Sequence, residues 1–268
     1  MSRTVGVVNP ALFRARFRAL HGTLPPEAAR TVTNPDVAMP IIDLQHLSFN
    51  FGSYWAVKDV SLTLEKGDFL YVTGPSGAGK TSLLRLLFGA LPVARGRAEV
   101  AGVTLNNLSP SLLPLLRRQV SFVYQDFRIL PHRTVSQNVA LALQVRMMPR
   151  EQIERRVRAV LRSLQLEAKA DVPCSDLSGG EQQRVAVARA IVVNPQIIMA
   201  DEPTGNLDPE LSLRLMEIFS HFNSFGATVI LATHSPELLR YQPRAKRIKL
   251  SFGKIVAANW PGCTVHPD

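Results

Sequence analysis

Cysteine is scarce in this 268-residue sequence: Cys174 and Cys263 are the only two, and they form no CxxC pair. That excludes a disulfide-stapled mini-scaffold, and with no secretory pattern at the N-terminus it fits two unpaired thiols in a reducing cytosol. Long apolar runs are also missing. No stretch approaches the roughly 18 to 20 residues needed to cross a bilayer, so a membrane role has to come through a partner or a surface contact. Charged residues make up only 19% against 46% hydrophobic, which is enough to bury a core and excludes a disordered tail. Acidic side chains are the minority, 21 against 31 Lys and Arg, for a net charge of +10. The imbalance is local: residues 111–170 carry 11 basic and 4 acidic side chains, whereas residues 171–268 carry 9 and 10. No internal repeat of 20–50 residues is visible, which argues against a solenoid.

Residues 1–40 differ from the rest. Pro10, Pro25, Pro26, Pro35 and Pro40 punctuate them, and they read as a basic extension ahead of the folded part. Within it Val8, Leu12, Phe13, Phe17 and Leu20 fall near one helical face, with Arg14, Arg16 and Arg18 along another. Three readings stay open: a mostly disordered leader or misplaced start codon, a short basic helix on an anionic surface, and an organelle transit peptide.

From Ile41 onward, short apolar runs alternate with amphipathic segments. Phe69–Thr73, Val120–Tyr124, Ile197–Ala200 and Ala227–Ala232 are rich in β-branched or aromatic residues and predict buried strands. Ile153, Val157, Val160, Leu161 and Leu164 repeat at helical spacing, with Arg155, Arg156, Arg158 and Arg162 largely off that stripe. Alternating strands and helices predict an α/β fold built on a mostly parallel sheet, with ligand sites at the strand carboxyl ends.

Directly after the first of these strands, Gly74-Pro75-Ser76-Gly77-Ala78-Gly79-Lys80-Thr81 fits GxxxxGK[ST], and a helical run begins at Ser82. The glycines let successive backbone N–H groups turn inward onto phosphate oxygens. Lys80 adds a point charge at the β and γ phosphates, and the Thr81 hydroxyl can ligate Mg²⁺. Asp201 and Glu202 follow a strand, where one carboxylate can hold Mg²⁺ through water while its neighbour polarises the attacking water. In Leu177–Arg184, LSGGEQQR, Ser178 and Glu181 form a capping box, so a helix starts there. Gly179 and Gly180 in its first turn each cost roughly 1 kcal/mol of helix stability. A helix N-terminus bared in this way suits a phosphate.

Phosphate loop, LSGGEQQR and a strand ending in Asp-Glu, in that order over about residues 41–255, resemble the nucleotide-binding subunits of ATP-binding cassette (ABC) transporters. The resemblance implies a P-loop NTPase cassette with a RecA-like core, a helical subdomain at about residues 126–190 and an antiparallel β subdomain. It leaves a tail at Asn259–Asp268 beyond the cassette. It implies Mg-dependent ATP hydrolysis with Glu202 as general base, and Lys80, Ser178 and His234 around the transferred phosphoryl group. Gln125 becomes the glutamine that touches Mg²⁺ and the attacking water. Asn206, Leu207 and Asp208 match the D-loop, and Phe51 the aromatic that stacks on adenine, with Tyr54 and Trp55 close enough to leave that choice open. Thr81, Gln125 and Asp201 become the metal ligands. It also implies a head-to-tail homodimer, in which the signature segment of one copy covers the γ-phosphate held by the other.

Within the family, the stretches Leu115–Leu130, His132–Leu143, Asp201–Asp208 and Phe222–His234 resemble the cell-division ATPases of FtsE type. That implies a peripheral protein on the cytoplasmic face of the plasma membrane, working with an FtsX-like integral membrane subunit. Departures are the leader, Ser235 where Asp often follows the switch histidine, and the tail. Asp201–Asp208 alone is shared with lipoprotein-release and macrolide-export ATPases, which remain the alternative of the same class. A nucleic-acid-associated ATPase is disfavoured, because neither a second cassette nor a long coiled-coil insertion is present. The basic surplus then points to a membrane-facing surface, with Arg117, Arg118, Arg128, Arg133, Arg146 and Arg150 as candidates for docking and for anionic lipid.

Overall fold

The apolar runs expected as strands lie side by side in the computed structural model, which describes residues 39–205 and 207–266. The reading of residues 1–38 lies outside the described residues. In chain order the elements are β1 (Ile42–Phe51), β2 (Tyr54–Leu64), β3 (Phe69–Thr73), α1 (Lys80–Leu87), β4 (Arg95–Val100), β5 (Val103–Thr104), α2 (Leu113–Gln119) and β6 (Val120–Val123). There follow α3 (Val135–Gln144), α4 (Arg150–Ser163), α5 (Gly179–Ile191), β7 (Ile197–Asp201), α6 (Pro209–Ser224), β8 (Thr228–Ala232), α7 (Pro236–Tyr241), β9 (Lys246–Ser251) and β10 (Lys254–Ala258).

The main sheet has the order β10-β9-β3-β8-β7-β6, parallel from β9 to β6, with β10 antiparallel at one edge. Its central strands are apolar throughout because both faces are covered. Successive side chains point to opposite faces, so Phe69 and Tyr71 of β3, Ile198 and Ala200 of β7, and Val229 and Leu231 of β8 join one core, with α3 to α6. Leu70, Val72, Ile197, Met199, Ile230 and Ala232 join the other core, with α1 and the inner face of a second sheet. That second sheet is antiparallel, in the order β2-β1-β4-β5.

The second sheet is irregular where β1 meets β2. His46 (φ 53°) and Asp59 (φ 55°) are left-handed, and the register shifts beside His46. The Ser61 hydroxyl accepts from His46 N (2.8 Å) and the Ser48 hydroxyl from Asp59 N (2.9 Å), so side chains satisfy donors that the disturbed ladder leaves over. Residues 259–266 run back along this sheet: Thr63 N donates to Gly262 O and Thr264 N to Ser61 O.

A buried amide fixes the loop between β6 and α3. Asn138, fully buried on α3, donates from Nδ2 to Leu130 O (3.0 Å), Arg133 O (3.2 Å) and Thr134 O (3.0 Å), and accepts from Leu130 N (2.8 Å). Thr134 and Gln137 cap the same helix reciprocally. Asn138→Ala would leave several buried polar groups unpaired. It is expected to lower stability by about 3 kcal/mol in urea unfolding, whereas the exposed Gln144→Ala should stay within about 0.5 kcal/mol.

Candidate active site

Strand register assembles the site. In the parallel sheet Val72 of β3 lies opposite Ala232 of β8, Ala232 opposite Asp201 of β7, and Ala200 of β7 opposite Val123 of β6. The four chains therefore leave the sheet at one level. They lead at once into the Gly74–Gly79 loop, His234, Glu202 and Gln125.

Two glycines shape the phosphate loop. At Gly74 (φ 137°) a Cβ would lie 2.3 Å from Leu250 O, and at Gly79 (φ 104°) 2.1 Å from Ala56 O, so the backbone of β9 and of β2 excludes any side chain there. Buried Lys80 donates from Nζ to Gly74 O (2.9 Å) and Pro75 O (3.1 Å), folding its ammonium into the curve of the loop. The Tyr54 hydroxyl donates to Gly77 O (2.9 Å) and pins the outer side of the same loop to the β1–β2 turn. Thr81 and Ser82 stand in the first turn of α1.

Glu202 is left-handed, with φ 45°, a backbone state that costs a non-glycine residue about 1–2 kcal/mol. Its amide donates to Ala232 O (3.0 Å), which holds it in place. Oε1 lies 2.9 Å from His234 Nδ1 and 3.8 Å from Lys80 Nζ. An ionised carboxylate only accepts, so His234 Nδ1 carries the proton in this pair.

Asp201 is buried, and its Oδ1 has no hydrogen-bond partner. Burial pushes its carboxyl above the ordinary value, a Thr81 hydrogen bond pulls the other way, and the neighbouring Glu202 charge adds to the rise. A buried orphan carboxylate oxygen beside a hydroxyl is a hard oxygen donor pair that fits Mg²⁺. Among the described residues no group of three or more His, Cys, Asp or Glu is gathered for a metal. Gln125, exposed just beyond β6, emerges at the same edge.

The signature segment stands apart from this group. Ser178 caps α5: its N and Oγ donate to Glu181 Oε2 (2.9 and 3.0 Å), and Glu181 N donates to Ser178 Oγ (3.4 Å). Among the described residues no hydrogen bond or ion pair joins Ser178, Gly179 or Gly180 to the phosphate loop. A Cβ on Gly179 would meet open space, whereas one on Gly180 would come within 3.0 Å of Leu211 Cδ2. Asp208 accepts from Leu211 N (2.8 Å) and caps α6. Asn206 lies outside the described residues. Phe51 is half exposed at the β1–β2 turn, edge-to-face on Phe49 at 4.8 Å, with Tyr54 opposite it in the strand register.

A loop of backbone amides ending in a lysine, a carboxylate pair and a histidine meeting at parallel strand ends is a site for nucleoside triphosphate. The sequence profile of the ABC transporter family matches residues 57–205. The chain belongs to the ABC transporter family. Its curated relatives include the cell division ATP-binding protein FtsE of Streptococcus pneumoniae serotype 2, 42% identical over 75% of this chain and 87% of the relative. FtsE of Mycobacterium tuberculosis is 40% identical over 81% and 94%, and FtsE of Escherichia coli K12 40% over 74% and 90%. Among solved structures, the ATP-binding cassette MJ0796 in a dimeric post-hydrolysis state bound to ADP and Pi superposes with a TM-score of 0.75. It is 31% identical, over 81% of this chain and 97% of that one. This ABC protein is therefore an ATPase of the cassette type, and its fold is the expected one. Among the described residues no helix is long and apolar enough to cross a membrane.

Two contacts in this ABC cassette were not legible in the motifs. Tyr54, one of the three aromatic choices, donates its hydroxyl to Gly77 O, a contact with the phosphate loop that no motif encodes. Arg189 on α5 donates to Arg128 O (2.6 Å) and Phe127 O (2.9 Å), just past Gln125. The left-handed Phe127 and Arg128 turn those carbonyls toward it.

Glu181 supplies a pH test of the signature turn. The Lys169 ammonium (2.5 Å) and the Ser178 donors hold its carboxyl down at about 2. A lowered folded value stabilises the protein above the ordinary glutamate range, and that contribution is lost as pH falls through about 4.5 toward 2. Thermal unfolding between pH 5 and pH 2 should therefore decline less steeply for Glu181→Gln than for the unaltered chain.

Proposed function

We propose that this ABC ATPase is the ATP-hydrolysing subunit of an FtsEX-like complex, coupling its nucleotide state to an FtsX-like membrane subunit that controls cell-wall hydrolases in division. The observation that carries the chemistry is the Glu202 carboxylate held between His234 and Lys80, next to buried Asp201. The FtsE relatives carry the biological assignment and favour it over a lipoprotein or macrolide exporter.

In this reading the amides of Gly74–Gly79, with Thr81 and Ser82, bind the phosphates of ATP, and Phe51 or Tyr54 stacks on adenine. Lys80 exchanges the Gly74 and Pro75 carbonyls for phosphate oxygens. Glu202 takes the proton of the attacking water, and His234 orients that carboxylate and meets the γ-phosphate. Asp201, Thr81 and Gln125 hold Mg²⁺, which neutralises charge on the phosphate oxygens when bound.

One copy supplies half of each site. The open space at Gly179 supports close approach by a second copy, whose phosphate loop the Ser178–Gly180 turn and Asp208 would cover. Arg189 ties α5 to the segment after Gln125, so a shift imposed there by a membrane subunit reaches Ser178 through a side chain rather than along the backbone.

For the membrane-facing surface, four of the six arginines are already engaged. Arg146 donates to Val193 O (3.0 Å) and to Arg118 O, Arg128 lies 4.0 Å over the Tyr124 ring beside Asp126, Arg117 lies 5.1 Å over the Phe88 ring, and Arg150 pairs with Glu154 (2.8 Å). Exposed Arg118 and Arg133 are the ones we assign to the membrane subunit or to anionic lipid, each worth about 1 kcal/mol near such a surface.

Two experiments test the reading. Lys80→Ala should abolish ATP binding in calorimetry, and Glu202→Gln should keep ATP while turnover falls by about 100-fold or more; normal turnover by either variant would overturn the mechanism. Gly179→Leu should leave the protomer's melting curve within a few degrees of the original. It should also remove the ATP-trapped dimer that Glu202→Gln forms in sedimentation; a dimer that survives would exclude the shared site.

A further inference from the structure

The signature turn carries a charge of the same sign as the phosphate it would cover. Glu181 stands in the first turn of α5, and its Oε2 accepts from Ser178 N (2.9 Å) and Ser178 Oγ (3.0 Å). With its carboxyl held at about 2, Glu181 is ionised at neutral pH. A phosphate oxygen hydrogen-bonded to Ser178 Oγ would come within about 6 Å of Glu181 Oε2, the sum of two hydrogen-bond lengths. Closure of a second copy over the turn also removes the water that screens such a pair, so the two negative charges would repel.

The other oxygen of the carboxylate meets a cation. Lys169 Nζ lies 2.5 Å from Glu181 Oε1, and among the described residues this is the one ion pair that Glu181 makes. Arg184, farther along α5, senses the Glu181 charge without pairing with it. We propose that Lys169 is a positioning residue of the shared ATP site: it neutralises Glu181, so that the Ser178–Gly180 turn accepts the γ-phosphate held by a second copy. The proposal rests on the reading that the turn of one copy covers the phosphate loop of another.

Neither end of the ion pair depends on it for its place. Glu181 is fixed by Ser178, and Gln182 Nε2 donates to Cys174 O and Leu177 O (both 3.2 Å), which sets the approach to the turn. Lys169 belongs to the short turn Glu167–Lys169 after α4, beside fully buried Leu166. Its N donates to Leu166 O (3.0 Å), its O accepts from Val172 N (3.0 Å), and Ser136 N of α3 donates to Ala170 O (2.9 Å). Backbone hydrogen bonds thus carry the ammonium to Glu181 from a separate segment, and what Lys169 adds at the turn is its charge.

Sedimentation of the full chain carrying Glu202→Gln, with ATP, tests the proposal through the dimer dissociation constant. Lys169→Met should weaken the ATP dimer by about tenfold or more at low salt. Lys169→Arg keeps the charge, and Glu181→Gln keeps the capping bonds without it, so each should dimerise about as tightly as the parent. Adding Glu181→Gln to Lys169→Met should restore the dimer. A purely structural ion pair would behave otherwise, since loss of either partner would cost the same and the double variant would recover nothing. A Lys169→Met dimer as tight as the parent's, or a double variant as weak as Lys169→Met, would overturn the proposal and leave the shared site standing. So would a Lys169→Met protomer that no longer binds ATP in calorimetry, which would make Lys169 a folding contact. Absence of an ATP dimer in the Glu202→Gln parent would overturn the shared site, and the proposal with it.

Discussion

The parallel register of β3, β8, β7 and β6 is the constraint on which the rest depends. Backbone hydrogen bonds set Val72 against Ala232, Ala232 against Asp201 and Ala200 against Val123. Burial of both faces then locks that alignment. A slip of one residue in β7 would move Ile198 and Ala200 to the side of Met199 and disturb both cores together. The same hydrogen bonds that close the cores therefore bring a lysine, a carboxylate and a histidine within a few ångströms of one another, from segments far apart in the chain.

Unfavourable local states gather at that edge. Gly74 and Gly79 have conformations closed to other residues, Glu202 is left-handed, and Asp201 is buried with an oxygen unpaired. The glycines tolerate their conformations, whereas the states of Glu202 and Asp201 cost stability in the free protomer, and all four lie where a charged ligand would sit. Rigid sheet ends make such strain tolerable, since the backbone of β2 and β9 leaves the loop no room to relax. The signature turn is held differently: its capping hydrogen bonds and Lys169 fix Ser178 and Glu181, while Gly179 leaves its outer surface bare.

Between these two regions the connections are made by side chains reaching backbone carbonyls. Asn138 holds the loop from Leu130 to Thr134, and Arg189 holds Phe127 and Arg128. The segment after Gln125 is thus coupled to α3 and α5 without belonging to a sheet or a helix.

The phosphate loop, the Asp201–Glu202 pair, the capped start of α5 and the buried strands were readable in the sequence, because each rests on local spacing: glycines before a lysine, acids after an apolar run, Ser178 three residues from Glu181. The antiparallel sheet was less so, since left-handed His46 and Asp59 break the alternation by which a strand is recognised. The sequence by itself determined which residues could meet phosphate and which strands would be buried, since those depend on neighbours along the chain. Only the tertiary structure decided that Glu202 faces His234 and Lys80, that Tyr54 reaches Gly77, that Arg189 grips the turn after Gln125, and that a groove lies between α4, α5, α6 and α7. Those are contacts between distant segments, fixed by packing and register, and no local pattern encodes them.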